Sequence, residues 1–99
     1  MEAQHRTMNV LLLTQEHCGF CRQAKEILDR LSVEYGLAVS TLDLDSHEGQ
    51  VLAERSGMLF PPGIFLDGEP FSYGRLSERK LRRELEQRLR SMEDGTHTL

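Results

Sequence analysis

Cys18 and Cys21 are the only cysteines of this 99-residue chain, and Gly19 and Phe20 separate them. They follow an apolar run, Asn9-Val10-Leu11-Leu12-Leu13, and an exit segment, Thr14-Gln15-Glu16-His17. An amphipathic stretch begins at the cysteines themselves. The pair therefore falls where a strand hands over to a helix. A helix N-terminus carries unpaired N–H groups and a partial positive charge, so it stabilises an anion. The anion here is the thiolate of Cys18, the reactive form of the side chain. The two-residue spacer keeps both sulfurs on the first helical turn, within bridging distance. The chemistry this pattern permits is thiol–disulfide exchange. Exchange is fastest when the attacking thiol titrates near ambient pH, and a helix terminus supplies that lowering from about 8.5.

The pair admits other readings. Two small buried hydrophobes would account for Cys21 but not for Cys18 in a loop. Cys18, Cys21 and His17 offer three metal ligands, whereas a closed zinc site needs four. Two subunits pooling their cysteines around zinc or an iron–sulfur cluster remain the alternative to redox exchange. A third reading is a non-catalytic interaction module that uses a basic last helix.

The elements that must position the pair read as β-α-β-α-β-β-α, without repeats or linkers. The first strand spans about Met8 to Thr14. The first helix spans about Gly19 to Tyr35, with Ala24, Ile27, Leu28, Leu31 and Tyr35 on one face and Arg22, Lys25, Asp29 and Arg30 pointing away. Gly36 stops it. A second strand is expected over Ala38 to Leu44. Asp45-Ser46 caps a short helix from His47 to Arg55, with Glu48 or Gln50 placed to reciprocate the cap. Gly63-Ile64-Phe65-Leu66 is a third strand, Asp67-Gly68 a tight turn, and Glu69 to Ser72 a fourth strand that Pro70 confines to a sheet edge. Ser77 caps the last helix, whose buried stripe is Leu81, Leu85, Leu89 and Met92. The first β-α-β crosses over right-handed, so strands one and two are parallel neighbours. The hairpin adds on the other side, and helices cover both faces of an apolar first strand.

Length and composition fit one α/β domain over residues 1–99, with residues 1–7 and 93–99 as flexible tails. No apolar run approaches the roughly 18 residues a membrane helix needs. The first residues are polar and unlike a signal peptide, so a cytoplasmic location is expected. In that reducing setting a lone C-x-x-C is redox-active or metal-binding rather than structural. Net charge is −4, distributed unevenly. Between Ser77 and Met92 six cations face three anions, and residues 1–76 hold six cations and eleven anions. No aromatic residues accompany the basic stretch. It reads as a solvated face with Glu/Arg pairs rather than a nucleic-acid surface.

The element order, Cys18-Gly19-Phe20-Cys21 and the later Pro61-Pro62-Gly63-Ile64-Phe65 together resemble the glutaredoxin branch of the thioredoxin superfamily, over residues 8 to 90. The resemblance implies a thioredoxin-like fold and a thiol–disulfide oxidoreductase. Cys18 would attack a substrate disulfide, and Cys21 would resolve the mixed disulfide. No bound cofactor is implied beyond a redox-active disulfide. The implied partners are a disulfide-containing protein or small-thiol substrate and an electron donor, with the protein itself a monomer. In this superfamily a cis-proline faces the cysteines, and its preceding residue offers backbone hydrogen bonds to substrate. Pro62 fits best. Pro61 would then occupy the recognition position without an N–H. A cis bond at Pro61 would instead place Phe60 there. Gly19 and Phe20 flank the sulfurs, and Phe20 is expected on the rim as an apolar contact. His17 is a candidate for stabilising the thiolate, against the alternative of a solvated neutral imidazole, and Glu16 would oppose it. The glutathione-binding features of glutaredoxins are poorly met. Gln15 and Glu16 stand where that family often has a lysine, and Tyr73-Gly74-Arg75-Leu76-Ser77 replaces its Gly-Gly and acidic cap. Arg75 with the Ser77 helix start is the remaining candidate to hold a carboxylate, and Gly74 beside it is a candidate substrate contact. The donor is thus open among glutathione, another low-molecular-weight thiol and a dedicated reductase.

Overall fold

A computed structural model describes residues 7–93. Its elements are β1 (Met8–Thr14), α1 (Gly19–Tyr35), β2 (Leu37–Asp43), α2 (His47–Ser56), β3 (Gly63–Leu66), β4 (Glu69–Tyr73) and α3 (Glu78–Glu93). The four strands form one mixed sheet in the order β2-β1-β3-β4. β1 pairs parallel with β2 and antiparallel with β3, which pairs antiparallel with β4.

The period-two alternation of a strand divides β1 between two cores. Met8, Val10 and Leu12 join Ala24, Leu28 and Leu31 of α1 and Leu81 and Leu85 of α3 on one face. Leu11 and Leu13 join Met58, Phe65 and Leu52 of α2 on the other. Leu28, Leu31, Leu81 and Leu85 are fully buried, and each contributes about 1.5–3 kcal/mol relative to an exposed side chain. The sites of Cys18 and the later loops are thereby hung on a rigid frame.

Caps set the helix ends. Gly36 and Gly57 stop α1 and α2 in the left-handed region, at φ 70° and 73°. Ser46 Oγ accepts the Gly49 N–H at 3.0 Å, and Ser77 Oγ accepts the Lys80 N–H at 3.2 Å. The expected reciprocal bond from Glu48 or Gln50 does not form. The third helical position is Gly49, which has no side chain to reach back, and the Gln50 amide donates to the Leu44 carbonyl at 3.1 Å instead. Gly49 is the buried residue of α2. An added Cβ there would lie 2.1 Å from the Asp43 carbonyl oxygen, so α2 docks on the end of β2 through bare backbone.

Other bounds shift slightly. β2 covers Leu37–Asp43 rather than Ala38–Leu44, because its register follows β1 from Met8↔Leu37 to Thr14↔Asp43. β4 runs on to Tyr73, which pairs with Gly63. Glu93 belongs to α3. The expected burial of Met92 and the flexible tails lie outside what is described, apart from Thr7 and Glu93. Pro70 does lie on an edge strand. The register slips between Ile64↔Ser72 and Phe65↔Pro70, which leaves a bulge at Phe71. At the hairpin, Asp67 and Gly68 both adopt positive φ (49° and 85°), as a tight two-residue turn requires. The Asn9 N–H donates to Asp67 Oδ1 at 2.9 Å, which ties the turn to β1.

Two cations of α3, Arg82 and Arg88, are drawn into pairs, and its Glu78 also holds Arg30 of α1. Glu78 meets both Arg30 (2.6 Å) and Arg82 (3.1 Å), and Arg88 meets Glu84 (2.7 Å) and Glu69 (2.9 Å). The Tyr35 hydroxyl donates to Glu86 at 2.6 Å, and that carboxylate raises the phenol's pKa. The hydrogen bonds from Arg30 and Arg82 hold the Glu78 carboxyl below its ordinary 4.5. A depressed folded-state pKa stabilises the native state above the unfolded value, and that contribution is lost as pH falls through the folded value. The urea midpoint should therefore drop as pH is lowered below 4.5, and Glu78→Gln should flatten that drop while leaving the neutral-pH slope unchanged. An unaltered acid limb in the variant would contradict the pairing. No helix among the described residues is long and apolar enough to cross a membrane.

Candidate active site

Strand register gathers three loops at one end of the sheet. Leu13 pairs with Gly63, and Gly63 with Tyr73. The chain leaving β1, the chain entering β3 and the chain leaving β4 therefore meet the same edge. These carry Cys18, Pro61-Pro62 and Gly74-Arg75.

Cys18 is the N-cap residue of α1, in extended backbone conformation (φ −118°, ψ 106°). Its sulfur accepts the Cys21 N–H at 3.2 Å, the bond that a serine or aspartate oxygen makes in ordinary caps. Cys18 is half-buried, and Cys21 is 3% exposed. The two form a disulfide, with their Cα atoms 5.2 Å apart. The helix N-terminus and this amide both act on the outer sulfur once the bond is reduced, favouring its anion. His17, exposed and at φ 58°, makes the sharp turn that brings Cys18 onto the helix. A non-glycine residue in the left-handed region marks a locally constrained backbone beside the cysteine pair.

The Pro61–Pro62 peptide bond is cis. The Pro62 carbonyl accepts the Gly74 N–H at 2.9 Å, which joins the proline loop to the end of β4. Gly74 holds φ 83°, and an added Cβ would stand 3.0 Å from Phe60 Cε1. The positive φ is what favours glycine there, and a Cβ would also press on the exposed Phe60 ring. Phe60 packs edge-on against Tyr73, with centroids 5.1 Å apart and planes at 88°. Both rings remain largely exposed, as do Leu59 and Phe20.

The structure distributes the expected residues over four surfaces. His17, Cys18 and Cys21 line a cleft of about 320 Å³ together with Arg22, Lys25 and Thr41. Gly19 and Phe20 border a second hollow with Gln23. Phe60, Pro62 and Gly74 stand together with Tyr73, whereas Arg75 lines a separate groove of about 690 Å³ between α1 and the start of α3. Tyr73, Arg22, Lys25 and Thr41 were not expected as site residues. One signal for the cations was present: Cys18, Arg22 and Lys25 are spaced four and three apart and so share a helical stripe.

A four-stranded mixed sheet with helices on both faces, and a cysteine pair heading the first helix, defines a thioredoxin-like α/β protein. A mutant thioredoxin from Halobacterium salinarum NRC-1 superposes with a TM-score of 0.66 at 26% identity, covering 83% of this chain and 74% of that one. A malarial protein shares the fold with a TM-score of 0.65 at 22% identity, over 83% of this chain and 97% of its own. Within that class the chain belongs to the family described as Glutaredoxin-like domain (DUF836), whose model matches residues 9–86. Uncharacterized proteins of Mycobacterium tuberculosis (strain ATCC 25618 / H37Rv) and Mycobacterium bovis are each 34% identical to it over 80 residues, covering 77% of this chain and 80% of theirs.

Proposed function

We propose that this chain is a thiol–disulfide oxidoreductase that reduces protein or mixed disulfides through Cys18 and Cys21. The observation that carries the reading is the asymmetry of the pair: a half-buried cysteine whose sulfur is held by an amide at a helix start, and a buried cysteine one turn behind it. The Cys18 thiolate attacks one sulfur of the substrate disulfide. That S–S bond breaks, and the departing sulfur takes up a proton. Cys21, deprotonated in turn, attacks the Cys18 sulfur and expels the second substrate thiolate. Two electrons pass to substrate, and the Cys18–Cys21 disulfide closes.

Phe20 and the Phe60–Tyr73 pair supply an apolar surface for a protein substrate. Pro61 has no N–H and the Pro62 carbonyl is already engaged by Gly74, so the Pro61 carbonyl is the main-chain group left for pairing there. His17 and Gly19 flank the reacting sulfur. Arg75 borders the groove toward α3, and Gly74 stands against the Phe60 ring. No bound cofactor enters the cycle. A thiol donor or a reductase returns the electrons, and the protein works as a cytoplasmic monomer without nucleic acid or membrane. The alternative of a metal or iron–sulfur carrier would need the cysteines of two chains. Among the described residues no group of three His, Cys, Asp or Glu side chains is placed to hold a metal ion.

The test is equilibration against defined thiol/disulfide buffers, read by mass after thiol alkylation, together with turnover of a protein disulfide driven by dithiothreitol. A single two-electron transition plus turnover is expected. A pair that exchanges with no buffer, or a dithiol that reduces nothing, would overturn the assignment.

A further inference from the structure

In a parallel ladder, successive residues of one strand turn their N–H and C=O groups alternately toward the neighbour and away from it. The Leu44 N–H donates to the Thr14 carbonyl at 2.7 Å, where the β1–β2 ladder ends. By the same alternation Leu42, Ser40 and Ala38 turn their main-chain groups to β1. Val39 and Thr41 turn theirs outward, and no described strand lies on that side of β2. The open row stops at Asp43, whose carbonyl accepts the Ser46 N–H at 3.0 Å. Val39 and Thr41 each offer a donor and an acceptor in strand geometry, the template on which an extended chain adds.

This row runs up to the redox pair, since Thr41 lines the same cleft as Cys18 and Cys21. The proline loop on the other flank has little main chain to offer. Pro61 lacks an N–H, and the Pro62 carbonyl is held by Gly74. Charge then narrows what fits along β2. Side chains directly opposite each other across a ladder share a face, and the Thr41 side chain faces the cleft walled by Arg22 and Lys25. Lys25 is bonded to both carboxylate oxygens of Asp29 at 3.1 Å. Arg22 makes no ion pair with any described residue. β2 itself carries no charge before Asp43. An acidic side chain opposite Thr41 would therefore meet an unpaired guanidinium.

We propose that an extended segment of the disulfide-bearing protein substrate adds to the sheet outside β2, pairing with Val39 and Thr41 and placing an acidic residue opposite Thr41 beside Arg22. The proposal rests on the oxidoreductase reading above and names the shape and charge of its substrate. The ladder leads the substrate's cysteine toward Cys18, and exchange follows the steps already given. Main-chain pairing accepts any segment that can be drawn out straight. The acidic residue is the one side chain the edge selects.

The test uses the reduced protein and a threonine- and valine-rich peptide with one glutamate and one cysteine, the cysteine held as a disulfide with 2-mercaptoethanol. Bis(2-hydroxyethyl) disulfide is the reference. The readout is the ratio of the two second-order rate constants, which cancels the intrinsic reactivity of the Cys18 thiolate. N-methylation of the peptide amides that face β2 should lower the ratio by about fivefold, the scale of one lost main-chain hydrogen bond. Val39→Pro, which removes an outward N–H at an edge position that tolerates proline, should lower it by a similar factor. Val39→Ala trims the same side chain but keeps the N–H, and should leave the ratio within about twofold of the parent. Glutamine in place of the peptide's glutamate should cost about threefold with the parent, the scale of an exposed ion pair, and nothing with Arg22→Gln. Equal rates for the glutamate and glutamine peptides would overturn the charge assignment. An N-methylated peptide reduced as fast as the unmodified one, or equal falls in Val39→Pro and Val39→Ala, would overturn the strand assignment and leave the redox reading intact. A ratio that falls as protein concentration rises would make a second copy the occupant of the edge and overturn the substrate assignment. Reduced protein that attacks neither disulfide would overturn the redox reading as well.

Discussion

Cys18→Ser should abolish the proposed disulfide reduction, with turnover expected to fall by at least about a thousandfold, because a neutral hydroxyl replaces the thiolate nucleophile. The substitution is clean in structural terms. A serine oxygen can accept the same Cys21 N–H that the Cys18 sulfur accepts, and serine is among the best N-cap residues. Loss of activity therefore reports chemistry rather than unfolding, and an unchanged urea midpoint verifies it. Cys21→Ser has a different signature. The first attack still occurs, but the resolving step does not, so covalent mixed disulfides accumulate on Cys18 or turnover continues only as a slower monothiol reaction. Turnover of a protein disulfide with dithiothreitol, and mass analysis of trapped adducts, separate the two variants. Equal and full turnover by both would dismiss the pair as the reacting centre.

Gly49→Ala should destabilise the fold by about 3 kcal/mol, at the upper end of overpacking costs. The added methyl would meet the Asp43 carbonyl oxygen at 2.1 Å and the Leu44 Cα at 2.8 Å. Both are main-chain atoms where β2 ends, so nothing can rotate aside. Relief requires lifting α2 from the sheet and loosening its contacts with Leu13 and Phe65. Gly19→Ala is the matched control. No heavy atom lies within 4 Å of a Cβ at that position, and it stands in the first turn of α1, where alanine gains roughly 0.5–1 kcal/mol over glycine. Urea midpoints at constant slope measure both changes. A Gly49→Ala protein as stable as the parent would mean that α2 does not approach the backbone of β2 so closely.

Much of the frame was legible in the sequence because its signals are local. The stripe Ala24, Leu28, Leu31, the stop at Gly36, the cap at Ser46 and the Asp67-Gly68 turn each depend on residues a few positions apart. β2 was misplaced by one residue at each end for the opposite reason. Leu37 and Leu44 are equally plausible strand ends on their own, and only pairing with β1 decides between them. The same limit governs the site. Cys18 and Cys21 announce themselves by spacing. Tyr73 does not, since its contact with Phe60 depends on the β3–β4 register and on the positive φ of Gly74. Arg22 and Lys25 face away from the core, as the periodicity of α1 requires. The sequence pattern of α1 alone could not reveal that β2 runs alongside and turns that outward stripe into the wall of a cleft.

The sheet ends on two unlike borders. β4 carries Pro70, which has no donor to give, and a bulge at Phe71 that breaks its ladder. β2 offers seven residues, Leu37–Asp43, in unbroken register with β1 and with a single charge at its far end. Strand addition by a foreign extended chain is thus barred at one border and open at the other. Crowding of this protein at high concentration would recruit neighbours through β2, and a lysine at Ser40 would be the economical way to keep solutions clear.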